Sequence, residues 1–161
     1  MKRIALALMI GVTSATNAFS DDSRRPIDEP VCVDIIGRIL RIPLVKLDRY
    51  EADGGTAVFR HPLTDISLKC GSLYTPPITI VVGWRAGPSP SEPWYTLAML
   101  AGNVATGANP VDIDQDIRDC INTAESDKTA AAVWVVSKAT IQCNAFQRDG
   151  DGVTVTIGLR Q

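Results

Sequence analysis

The side chains able to do chemistry in this 161-residue chain are few: one histidine, four cysteines and a set of aspartates. A serine or cysteine nucleophile is usually activated by a histidine base. His61 is the only histidine, and it sits between Arg60 and Pro62 at the end of an expected strand, a place that suits a loop or edge residue. The chain contains no G-x-S-x-G elbow, no phosphate-binding glycine loop and no H-E-x-x-H. Paired carboxylates need no fixed spacing, so they are weighed by placement. Asp112, Asp116 and Asp119 fall on one face of an expected helix. Together with His61 they would define a small envelope hydrolase, the alternative reading. A solvated acidic face that complements the helix dipole explains the same residues without catalysis.

Metal chemistry is poorly served. Asp112, Asp114 and Asp116 imitate the start of a calcium-binding EF-hand loop, which needs glycine at its sixth position and glutamate at its twelfth. Those positions hold Ile117 and Thr123. Asp149-Gly150-Asp151-Gly152 reads as a tight hairpin turn. Zinc prefers closely spaced cysteines helped by histidine, whereas Cys32, Cys70, Cys120 and Cys143 are separated by 38, 50 and 23 residues. No C-x-x-C redox motif is present. No catalytic residue, metal or cofactor is therefore assigned. An even number of cysteines in an exported chain points to two disulfides. Three connectivities are open. Cys32–Cys70 with Cys120–Cys143 closes the shortest loops that use all four.

The segment best suited to binding is 83–95, GWRAGPSPSEPWY. Trp84 and Trp94 bracket it, with Arg85 and Tyr95 alongside. Tryptophan, tyrosine and arginine are enriched at binding hot spots, and prolines lower the entropy lost on ordering a loop. The four residues are the expected contact set for a protein or small ligand of the cell envelope. The competing reading makes both tryptophans core residues closing a strand end and a helix start. Trp134 lies in an apolar strand and is expected to be core.

The elements that position these groups follow from periodicity. Ile35, Ile36, Ile39, Leu40, Leu44 and Leu47 recur at three and four, predicting a helix that ends or kinks near Arg41 because Pro43 interrupts it. The stretch after Pro43 can be extended instead. Asp53-Gly54-Gly55 is a turn; 56–60 and 65–70 alternate as strands, and the β-branched run 78–82 suits a central strand. Ser91 and Glu92 open a helix over 94–105, whose Ala98, Ala101, Gly102 and Ala105 imply close packing. Asn109 caps the next helix, with Pro110 at its first position and Ile113, Ile117, Cys120 and Ile121 on its buried face. The β-rich stretch 130–146 and the alternating 153–157 form a hairpin. The expected fold is α+β: a mainly antiparallel sheet of about five strands against two or three helices, stabilised by disulfides.

Composition and the N-terminus set the address. Lys2 and Arg3 precede nine apolar residues (IALALMIGV) and a small, polar stretch, the order of a secretory signal over 1–20. Its removal would leave 141 residues with 14 basic against 18 acidic side chains, which disfavours nucleic-acid binding. Residues 21–30 read as a flexible lead-in and 31–161 as a single domain. The apolar run is too short to span a membrane, so no stable insertion is expected after cleavage. Export to the periplasm, or alternatively to the medium, follows. The function expected from sequence is a non-catalytic binding, inhibitor or accessory protein.

Overall fold

The computed structural model describes residues 25–71, 78–87, 89–126, 131–135, 138–146 and 152–159. The export signal read at 1–20 lies outside the described residues, as do Asp149, Gly150 and Asp151 of the C-terminal turn. Pro30 opens helix α1 (Pro30–Ile39), whose buried stripe is Cys32, Ile35, Ile36 and Ile39. Just before it, Pro26–Asp28 forms a 3-10 turn with Ile27 buried and its N–H donated to the Gly54 carbonyl at 3.2 Å. Ile27 thereby anchors residues 26–28 on the core.

Beyond α1 the chain turns through Ile42, Pro43 and Leu44 into strand β1 (Lys46–Tyr50). The helical spacing expected through Leu44 and Leu47 is broken: Leu44 takes a left-handed φ of 65° and Leu47 lies in the strand. Strands β2 (Thr56–His61), β3 (Thr64–Lys69) and β4 (Thr79–Trp84) follow, then helices α2 (Glu92–Thr106) and α3 (Pro110–Ser126). Strands β5 (Ala131–Val135), β6 (Ala139–Phe146) and β7 (Gly152–Leu159) complete the order. The Asp53 carboxylate makes the β1–β2 turn, accepting from the N–H groups of Gly55 and Thr56, while Gly54 supplies a φ of 67°. Asn109 Oδ1 accepts from the Val111 N–H at 2.9 Å at the start of α3. Gly107, at φ 68°, ends α2.

The sheet is antiparallel at every pairing, with strand order β1-β2-β3-β4-β7-β6-β5. It has seven strands rather than about five, since β1 was hidden in a helical periodicity and 130–146 divides into two strands. Register places Phe59, Ile66, Val82, Val155 and Cys143 in one row beneath the helices. The opposite row, Val58, Ser67, Val81, Thr156 and Gln142, belongs to the other face. Helices α2 and α3 pack on the first face, α2 against β4 and β7 and α3 against β5 and β6. Gly102 permits that approach: a Cβ there would lie 2.7 Å from Ile157 Cδ1 and 3.3 Å from Ile113 Cγ2.

Both disulfides join a helix to the sheet. Cys32–Cys70 ties α1 to the end of β3, and Cys120–Cys143 ties α3 to β6. All four cysteines are buried. This is the connectivity with the shortest loops. Among the described residues no helix is long and apolar enough to cross a membrane.

Candidate functional site

The two tryptophans of the 83–95 segment are both buried. Trp94 is fully buried and Trp84 is 8% exposed. They meet edge to face with ring centroids 6.5 Å apart. Each indole N–H is spent on the segment itself: Trp94 Nε1 donates to the Gly83 carbonyl at 2.7 Å and Trp84 Nε1 to the Gly87 carbonyl at 2.9 Å. Large rings bury more favourable area than a surface position offers, and buried indole N–H groups need an acceptor. Of the four expected contact residues, Arg85 is exposed, Tyr95 half-buried and the two tryptophans buried. Tyr95 packs edge to face on Trp94 and lies under the Arg118 guanidinium, 4.0 Å from its ring centroid. Arg118 in turn holds both Glu92 oxygens, at 2.9 and 2.8 Å, and Asp114 Oδ2 at 3.0 Å. Hydrogen bonding from Arg118 keeps the Glu92 carboxyl below its ordinary range.

The scaffold holds Arg85 over a polar cleft of about 660 Å³ on the sheet face away from the helices. Five strands or their ends contribute, through Arg49, Val58, Asp65, Ser67, Val81 and Thr154. The β2–β3 turn, residues 61–64, forms one rim, pinned where the Thr64 hydroxyl donates to the Gly83 carbonyl. Arg49 is neutralised by Asp48 at 2.6 Å and Glu51 at 2.8 Å. Arg85, by contrast, makes no hydrogen bond or ion pair among the described residues. Asp65 lines the same cleft, its carboxylate likewise unpaired among the described residues.

His61 belongs to this rim. Its Nδ1 accepts from the Leu63 N–H at 3.2 Å, so the neutral ring carries its proton on Nε2. In that tautomer the ring is not a base toward Ser67, although Ser67 and Asp65 line the same cleft. Among the described residues, the cleft brings His61 together with one aspartate, Asp65. Asp112, Asp116 and Asp119 lie on α3 and line neither this cleft nor the groove described next. Burial, with Asp119 and Asp112 adding, raises the Asp116 carboxyl above its usual range. Among the described residues, His61 and these three aspartates share no cavity.

Burial lowers the His61 pKa. A histidine whose folded pKa lies below its unfolded value, about 6.5, contributes stability that is full above that value and is lost as pH falls through the folded pKa. Protonation also removes the acceptor for Leu63. His61→Asn retains a short acceptor two residues before that N–H. Between about pH 7.5 and 5, wild type should therefore lose stability relative to this variant. Urea midpoints across that range check it; parallel curves would remove the titration from the account.

On the helix side of the same turn lies an apolar groove of about 550 Å³. Ile42, Pro43 and Leu44 form one wall, Leu63 the rim, and Leu97 and Leu100 of α2 the floor. Residues 61–63 line both cavities. Sequence reasoning missed Arg49, Asp65, Ser67 and the leucines, for their positions carry no common spacing. Strand alternation was the one available signal, since it sets Asp65 and Ser67 apart from Ile66 and Leu68.

No protein-family model, curated protein or solved structure matches the chain. Fold and site define a disulfide-bridged α+β protein with a polar cleft and an apolar groove divided by one turn.

Proposed function

We propose that the chain is an exported, non-catalytic binding protein whose cleft receives the anionic group of a protein or small ligand in the cell envelope. The observation carrying this reading is Arg85: an exposed guanidinium without a charged partner among the described residues, displayed at a cleft by a loop pinned on two buried tryptophans. The planar guanidinium fork matches a carboxylate or phosphate with two hydrogen bonds, so less entropy is lost per bond than with a lysine. Two buried disulfides support an oxidising compartment, and the basic, apolar, then small-residue order of 1–20 supports export to the periplasm or medium.

The test is a titration of the protein with acetate and with inorganic phosphate, read by the emission of Trp84 beneath the loop. Saturable binding is expected. Arg85→Ala should weaken it about 10- to 100-fold, the range for a lost charge-assisted hydrogen bond, and Arg85→Lys should restore part of it. Asp65→Asn should tighten it by removing a like charge from the cleft. An unsaturable response, or one indifferent to Arg85, refutes the reading.

A further inference from the structure

Building on the anion-binding reading of Arg85, we infer that the ligand is a small amphiphilic carboxylate, its head at Arg85 and its alkyl chain crossing the β2–β3 turn into the apolar groove. Three observations converge. The polar cleft and the apolar groove share one wall, His61, Pro62 and Leu63, so a short chain leaving the cleft over that rim enters the groove. Charge separates along the same line: Arg85 belongs to the cleft, while the groove is lined almost wholly by leucine, isoleucine and proline side chains. At that rim His61 is neutral when its Nδ1 accepts from Leu63, so no charge interrupts the crossing.

Leu44 adds a fourth observation. It is 67% exposed, and its φ of 65° is a conformation that a branched L-residue adopts at a cost. Glycine would relieve that backbone, yet a large apolar side chain stands there, projecting at the groove with little of its surface covered. An alkyl chain lying in the groove covers it. Each methylene moved fully out of water tightens binding about four-fold, less where the groove leaves it part-wet.

The experiment compares acetate, butyrate, octanoate and decanoate with decanol, by calorimetry on the disulfide-bonded protein, with sedimentation run in parallel. Affinity should rise about two- to four-fold per added methylene up to decanoate. Decanoate should bind at least about ten-fold tighter than decanol, and Arg85→Ala should erase that preference while leaving decanol binding intact. Leu44→Gly should flatten the chain-length dependence and keep or raise thermal stability, which separates loss of the groove from loss of the fold. If acetate binding depends on Arg85 but the longer acids bind no tighter, the tail assignment falls and the anion site stands. If no carboxylate responds to Arg85, both fall. A protein that sediments as a dimer and becomes monomeric in Leu44→Gly would give the groove to a second copy and overturn the proposal.

Discussion

Trp94→Ala should lower the unfolding free energy by about 3–5 kcal/mol, the range for truncating a fully buried aromatic. The side chain packs against Trp84 and Tyr95 and is among the largest fully buried residues of the core. Its loss opens a cavity where β4 meets the first turn of α2 and also deletes the bond to the Gly83 carbonyl. Trp94→Phe separates the two effects. Phenylalanine restores most of the volume but not the N–H. The Gly83 carbonyl still accepts from Thr64, so the remaining cost should be about 1 kcal/mol. Urea denaturation of both variants checks the ranking. Because Trp94 anchors the loop that carries Arg85, Trp94→Ala should also weaken anion binding. Equal stability of wild type and Trp94→Ala would mean that the indole is not buried as described.

Removing Cys120–Cys143 as the paired alanine variant should cost about 3–4 kcal/mol, as expected from restricting the unfolded chain over a loop of this length. The bridge spans 23 residues and fastens α3 to β6 through two fully buried sulfurs. Helix α3 also holds Ile113, Ile117 and Ile121 against the core, so unfolding should remain a single transition with a lower midpoint. Cys32–Cys70 should behave differently. It spans 38 residues and secures α1, whose other helical contacts are to α2 and the 3-10 turn. Without it, amide exchange should accelerate in α1 first, ahead of the sheet. Urea titration and hydrogen exchange read these outcomes separately. Fast exchange spread evenly over the sheet in the Cys32→Ala/Cys70→Ala variant would contradict the local role.

Much of the fold was legible because local chemistry and tertiary packing agree. Asp53-Gly54-Gly55 and Asn109-Pro110 act through short-range hydrogen bonding and backbone preference. The alternation of Ile66 and Leu68 with Asp65 and Ser67 reports one covered face. Small residues at Ala98, Ala101 and Gly102 announced the close approach of α2. Strand β1 was not legible: its KLDRY sequence is an edge strand with a bulge between Leu47 and Arg49, so it lacks clean alternation. The division of 130–146 was hidden because Val136-Ser137-Lys138 contains neither glycine nor proline.

The site was less legible for a geometric reason. Trp84 and Trp94 are residue types favoured both at interfaces and in cores, and sequence composition does not distinguish these uses. Packing makes the indoles supports and leaves Arg85 as the displayed group. The cleft then gathers side chains from β1, β2, β3, β4 and β7, which only sheet register brings together. Leu44 fits a helical stripe by spacing, and only its left-handed backbone removes it from that stripe.

A nitrogen–proton correlation spectrum of the disulfide-bonded protein, followed through a titration with acetate, reads the Arg85 anion site residue by residue. The Arg85 Nε–Hε signal and the amides of His61, Leu63 and Thr64 should shift along one saturation curve, while the Asp112, Asp116 and Asp119 amides on α3 stay in place. Shifts that grow linearly with acetate, or that centre on the α3 aspartates, would contradict an anion site at Arg85.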